Sequence, residues 1–452
     1  MKSTIVRWSV RVPALFAAAS LQAATVGQIL VRQQWPWSTD VKVEYTISDV
    51  TSPVDVGVRA FSGDVELDRS KLASAISGTR FGITEGGAYS FTIDPVAAFG
   101  TNRVAISDFR VQLETSDSAT NETEVLYKIF DLADGSCEDV TRADLHNGRM
   151  GSYETDFGKF GTGFNTALSD VLIWTDVTNQ AKYATTHMVF RRISAKDATF
   201  MMGSPSGERN HGTNETQHAV SFSEDYFMAV FPITKAQIEQ PTLAISAKRW
   251  EYGVYSELNG DTNRMPATCT SMVWLRGTSS SWPADGHNVD ADRFLGKLRS
   301  LTGGTYLFDI PTEAQWEYAY RAGTTTILYD GIAYPNTDNS YWIGLRAFGW
   351  FDGNSMQNGV RGFFQVGLKA PNAFGLYDMV GNIFELCLDR YNGDYVLTES
   401  VQVDPVGAET GDGGITRGGC YSYGAPWCRA AHRMTSGVSG GLAGVRLVFP
   451  AR

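Results

Sequence analysis

The sequence predicts an α+β chain of two parts: an all-β, sandwich-like domain over residues 25–192, and an irregular, loop-rich domain over 193–452. Three observations predict it. Apolar and polar residues alternate with period two in several short runs of the first half, the mark of half-buried strands. The second half changes to abundant Gly, Trp and Tyr with two short, well-punctuated helices. The chain's 452 residues also exceed what one ordinary core organises.

Lys2, Arg7 and Arg11 lead into the short apolar run Val12–Leu21, and the small residues Ala23 and Ala24 follow. This is the layout of a cleaved export signal over residues 1–24, so a secreted or periplasmic protein is expected. The run is shorter than the ~20 residues that span a bilayer, and no later segment qualifies, so no membrane span is expected. Val41, Val43, Tyr45 and Ile47 alternate with polar residues, and similar runs occur at Val56–Phe61, Tyr89–Ile93 and Phe109–Leu113. Turn-rich stretches at 62–64 and 85–87 separate them, as in immunoglobulin-like or fibronectin-like sandwiches. Residues 134–166, rich in Gly and Asp, read as an irregular connection. Nothing in this first domain forms a chemical constellation, and a spacer or adhesive module is expected.

In the second domain Pro311 stops a strand, Thr312 and Gln315 have capping-box spacing, and Gly323 closes the helix. Trp316, Ala319 and Tyr320 then share one face. Thr234 and Gln237 repeat the capping-box spacing at a second helix. No repeat of solenoid or propeller length appears.

The net charge of −11 comes without a basic cluster, which argues against a nucleic-acid partner. Five cysteines, Cys137, Cys269, Cys387, Cys420 and Cys428, show no C-x-x-C spacing and allow at most two disulfides. The six histidines include no i,i+4 pair, and no phosphate-loop, dinucleotide or nucleophile-elbow motif occurs in a supporting context.

Several segments, in order, resemble the formylglycine-generating-enzyme, or sulfatase-modifying-factor, family. They are Ala198–Ser204, His218–Phe222 with Pro232–Gln237, the helix segment Phe308–Gly323, and the block Pro371-Asn-Ala-Phe-Gly-Leu-Tyr-Asp-Met-Val-Gly-Asn-Ile-Phe-Glu385. Thr416–Gly419, Cys428-Arg-Ala-Ala-His-Arg433 and Gly444–Val448 complete the set. The resemblance covers roughly 250 residues in constant order. It implies an irregular C-type-lectin-like fold for residues 193–452.

The resemblance further implies a structural calcium held by the side chains of Asp378 and Glu385 and the carbonyls of Met379, Gly381 and Ile383. Ligand chemistry agrees, since hard carboxylates flank a glycine that permits a tight turn. Family enzymes oxidise a cysteine of a sulfatase polypeptide with oxygen and Cu+ held by two thiolates five residues apart, soft sulfurs suiting a soft ion. Here Tyr423 stands at the first thiol position, and Cys428 suits the Cys-Arg-x-Ala-x-Arg element of members without oxidase activity, so the pair is read as missing. Cys420 and Cys428 meeting across a loop is the alternative catalytic pair. A Cys387–Cys428 disulfide is the other expected role of Cys428, beside simple burial. Arg429, Arg433 and Arg446 are expected to brace carboxylates or carbonyls, with an anionic ligand at Arg429 and Arg433 as the alternative.

Three functions stay open on these residues: an active copper- and oxygen-dependent oxidoreductase on sulfatase-like polypeptides, a family protein without that site, and a ligand-binding or display protein. The last would use Tyr421, Tyr423 and Trp427 with the stretch 434–442, since Tyr, Trp, Ser and Gly favour adaptable recognition.

Overall fold

The computed structural model describes residues 24–33, 39–62, 65–67, 72, 75–99, 109–117, 122–154, 172–245, 253–269, 271–278, 281–335, 337, 340–357, 359–395, 401–411, 413–435 and 442–451. The expected export signal lies outside them but for Ala24, as does most of the stretch 434–442. Among the described residues no helix is long and apolar enough to cross a membrane. The architecture is mixed, mostly strands with few helices.

The chain forms two compact units, 1–125 with 140–153 and 126–139 with 154–452. The second unit therefore takes up residues 126–139 and 154–192, which the sequence reading gave to the first. The stretch 134–166 is also more ordered than expected: it contains the strand Cys137–Thr141 and the helix Arg142–His146, which Thr141 and Asp144 cap reciprocally. Residues 155–171 lie outside the described set.

In the first unit, strands Thr25–Gln33, Val41–Ser48, Gly87–Ile93 and Ile76–Gly78 form one sheet in that order. Val65–Glu66, Val54–Ser62 and Phe109–Asp117 form another. Val41, Val43, Tyr45 and Ile47 point into the core while their neighbours stay outside. Val54, Val56, Ala60 and Phe109 of the other sheet join the same apolar cluster. Alternation thus selects the buried face, as the pleat requires.

In the second unit, His187–Ile193 lies centrally in a five-stranded sheet, between Val125–Asp131 and Tyr226–Ala229. A four-stranded sheet runs Met434–Thr435, Gly414–Arg417, Phe384–Arg390, Ala443–Gly444. The helix Glu313–Arg321 carries both capping-box hydrogen bonds between Thr312 and Gln315. It ends at Ala322 in the left-handed region, one residue before the expected Gly323. Trp316, Ala319 and Tyr320 are all buried in the main core. Thr234 and Gln237 cap Lys235–Ile238 in the same way. Three helices without such signals, Met272–Leu275, Phe294–Leu301 and Tyr341–Phe348, were not foreseen; Phe294–Leu301 has no side-chain cap at all.

Candidate functional site

Two glycine turns bring the candidate residues together. Gly381 sits at φ 68°, and a Cβ there would lie 2.1 Å from the Trp350 carbonyl oxygen, so only glycine fits. Its amide donates to the Gly418 carbonyl at 2.7 Å. Gly418 and Gly419 also have positive φ, and a Cβ on Gly419 would meet Cys428 Sγ at 2.5 Å. Asn382 locks the crossing: its side chain exchanges hydrogen bonds with the Phe364 backbone at 3.0 Å each way and donates to Asp378 Oδ1 at 3.1 Å. The 378–385 loop and the 417–428 loop are thereby one rigid construction.

Beneath them lies a series of buried arginine–carboxylate clamps. Arg446 donates to both oxygens of Glu385, at 2.7 Å to Oε1 and 3.0 Å to Oε2, and to the carbonyls of Ala229, Val230 and Tyr377. Trp316 Nε1 adds a bond to Glu385 Oε2 at 2.7 Å. Arg429 grips Glu215 at 2.7 and 2.9 Å and reaches Glu208 at 2.8 Å. Burial pushes the Glu215 carboxyl up, but hydrogen bonds and charge from Arg429 outweigh it and hold the carboxyl below its ordinary range. Arg433 closes a two-point fork on Glu313 at 2.8 and 2.6 Å, and Arg417 pairs with Glu317. Planar bidentate geometry is what arginine supplies and lysine does not.

The surface above these clamps is aromatic. The Tyr423 ring lies 5.0 Å from Phe384 and 6.1 Å from Trp427, and Trp427 stacks on His432 at 5.0 Å and 20°. Tyr423, Trp427 and His432 are half-buried. Burial, then the Arg429 charge, push His432 down to about 3, so it stays neutral. Tyr421 is buried instead and accepts from the Val254 amide at 3.3 Å.

Residues 179–451 match the family model described as a sulfatase-modifying factor enzyme 1-like domain. The chain belongs to this family. It is 33% identical over 126 residues to the formylglycine-generating enzyme of Thermomonospora curvata, 26% of this chain and 40% of that one. It is 26% identical over 258 residues to the serine/threonine-protein kinase pkn1 of Chlamydia caviae, 55% of this chain and 35% of that one. It thus spans less than half the length of these curated relatives. Among solved structures, Treponema denticola variable protein 1 superposes with a TM-score of 0.40 at 21% identity, covering 58% of this chain and 95% of that one.

The sulfatase-modifying-factor domain places the expected residues as follows. Cys428 stands five positions after Tyr423, so the thiol spacing survives with a phenol in place of its first sulfur; the reading that both were lost is corrected to the first alone. The thiols present do not fit copper. Burial pushes Cys420 up to about 11, and it pushes Cys428 up further, aided by Cys420. Cys420 Sγ lies 3.4 Å from Ser422 Oγ and Cys428 Sγ lies 4.0 Å from the Gly424 carbonyl, and neither sulfur has a cationic side chain among the groups that shift it. A metal-binding thiolate needs the opposite, a cationic or polar surrounding. Cys387 and Cys428 are both free and buried in the core, which corrects the expected disulfide. The charges that act on Cys387 belong to Glu313, Asp389, Arg417 and Glu385, whereas Cys428 packs against Gly419 and Cys420. The two thiols have separate surroundings.

The calcium donor set does not fit either. Both Glu385 oxygens face Arg446 and Trp316, and Asp378 accepts from the Gly367 amide at 2.7 Å and from Asn382. The Gly381 carbonyl accepts from the Ile383 amide at 2.7 Å. Met379 and Ile383 are buried core residues beside them. Among the described residues no three His, Cys, Asp or Glu side chains converge as a metal site. Arg429 and Arg433, offered as anion ligands, spend their donors on internal carboxylates and carbonyls. Of the expected recognition residues Tyr421, Tyr423 and Trp427, the last two reach the surface, joined by His432, which the spacing did not mark.

Burial raises Asp378 to about 6. A carboxyl raised in the folded state holds its proton more tightly than in the unfolded chain. Its stabilising effect is full below pH ~4 and is lost as pH climbs to ~6. Urea unfolding between pH 4 and 7 should therefore show a loss on the order of 3 kcal/mol from this group, and Asp378→Asn should flatten that part of the profile.

Proposed function

We propose that this is an exported sulfatase-modifying-factor family protein that recognises a ligand on the Tyr423–Trp427–His432 ledge and does not perform the copper-dependent oxidation. The observation that carries this reading is the tyrosine at the first thiol position, its ring packed between Phe384 and Trp427. Aromatic side chains offer large contact area at small entropic cost, which suits a recognition surface. The rigid glycine-pinned loops behind the ledge preorganise it. The first unit's two sheets support a sandwich-like spacer that carries the recognition domain. A polypeptide, sulfatase-like or other, is the partner class the ledge suits.

The test uses copper-treated full-length protein with a cysteine-containing sulfatase peptide. Oxygen uptake should match the protein-free control, and mass spectrometry should find no aldehyde on the peptide. Catalytic oxygen uptake with aldehyde formation would end this reading.

A further inference from the structure

A second feature shares no residue with the ledge. The helix Tyr341–Phe348 turns Tyr341, Leu345 and Phe348 into the main core, the spacing of one helical face. Its outward side carries large apolar side chains where polar ones are the rule. Trp342 is 39% exposed, and Ile343, at 75%, is the most exposed large apolar side chain among the described residues. Leu368, 50% exposed, belongs to the segment that joins the end of this helix, where the Ala370 amide donates to the Ala347 carbonyl at 3.1 Å. Neighbouring exposed apolar side chains of this size mark an interaction surface.

Two cations lie on this side. Arg346 follows Trp342 by four positions and Ile343 by three, so it shares their side of the helix. Lys369 Nζ donates to the Arg346 carbonyl at 2.7 Å and sits 3.8 Å from the centre of the Trp350 ring, which stacks on Phe364 at 3.7 Å. Arg346 spends a donor on the Gly353 carbonyl at 3.1 Å. Both cations thus have carbonyl partners, and neither closes an ion pair among the described residues. Burial lowers the half-buried Lys369 ammonium below its ordinary range; Asp378 pulls the other way, and the Arg346 charge adds to the fall. In a chain of net charge −11 this is a local reversal of sign.

We propose that the outward side of helix Tyr341–Phe348 docks an acidic segment of a partner polypeptide, with a carboxylate on Lys369 and Arg346 and an apolar side chain on Ile343 and Trp342. The docking goes beyond the ledge reading and does not depend on it. Charge complementarity selects the occupant. A half-buried ammonium whose hydrogen-bond partner is a carbonyl gains most from a carboxylate. A free small anion would leave Ile343 and Trp342 in water. An anionic lipid surface would meet the whole chain, whose net charge of −11 opposes it by more than two cations return. A peptide segment brings the carboxylate and the apolar side chain together.

Selection of a displayed library of random short peptides on the full-length protein tests this. The selected peptides should be enriched in Asp or Glu beside Leu, Ile or Phe. By fluorescence polarisation, Lys369→Glu and Ile343→Asp, each shown folded by circular dichroism, should weaken their binding about tenfold or more, and Lys369→Arg should keep most of it. Trp427→Ala should leave it unchanged, which separates this surface from the ledge. Absence of acidic and apolar enrichment, or equal binding by folded Lys369→Glu and Ile343→Asp, would overturn the proposal. Two further measurements name the rival occupants. Co-sedimentation with phosphatidylglycerol vesicles that Lys369→Glu abolishes would assign the surface to lipid and overturn it. Self-association in analytical ultracentrifugation that Ile343→Asp abolishes would assign it to a second copy and overturn it likewise.

Discussion

Arg429→Met lowers the stability of the C-terminal unit by about 3–5 kcal/mol, the cost of stranding buried carboxylates. Methionine replaces the stem of the side chain but none of its donors. Glu215, 1% exposed, would keep only the Ser204 hydroxyl at 2.8 Å, and Glu208 would lose the partner that offsets its burial. Against a total stability of roughly 5–15 kcal/mol this is a large fraction. Urea unfolding monitored by tryptophan fluorescence measures it. An arginine held for an external anion would behave differently: its loss would leave the midpoint unchanged. The same contrast holds for Arg433, whose fork on Glu313 is equally internal.

Glu385→Gln should cost about 3 kcal/mol or more, because Arg446 would remain buried without its counter-charge. The substitution keeps the shape and one acceptor for Trp316 Nε1. The wild-type midpoint should be the same in excess calcium and in chelator, since Arg446 and Trp316 occupy the oxygens an ion would need. A calcium-dependent rise in the wild-type midpoint that vanishes in Glu385→Gln would place an ion at this loop instead.

The sequence carried the fold further than the site. Capping boxes at Thr312 and Thr234 are local, so two residues at fixed spacing announce each helix. Alternation at Val41–Ile47 is equally local and marked the buried face correctly. The helix Phe294–Leu301 has no side-chain cap and was invisible on those terms. The strand Val125–Asp131 pairs with His187–Ile193 at long range, which no nearby residue signals, so the two compact units divide at other residues than the sequence suggests.

At the site the ordered motifs located both loops, but motif position does not say where a side chain spends its hydrogen bonds. Glu385 reads as a calcium ligand until Arg446, 61 positions away, closes on it. Arg429 reads as a brace for carboxylates or carbonyls, but its partners Glu208 and Glu215 lie more than 200 positions earlier, where nothing near Arg429 announces them.

The most direct test of the account is anaerobic titration of the reduced protein with Cu+ against a competing chelator. The wild type should hold no stoichiometric copper, and Tyr423→Cys, which restores the paired thiols at their spacing, should bind one equivalent far more tightly. Stoichiometric Cu+ on the wild type, lost in Cys428→Ser, would contradict it.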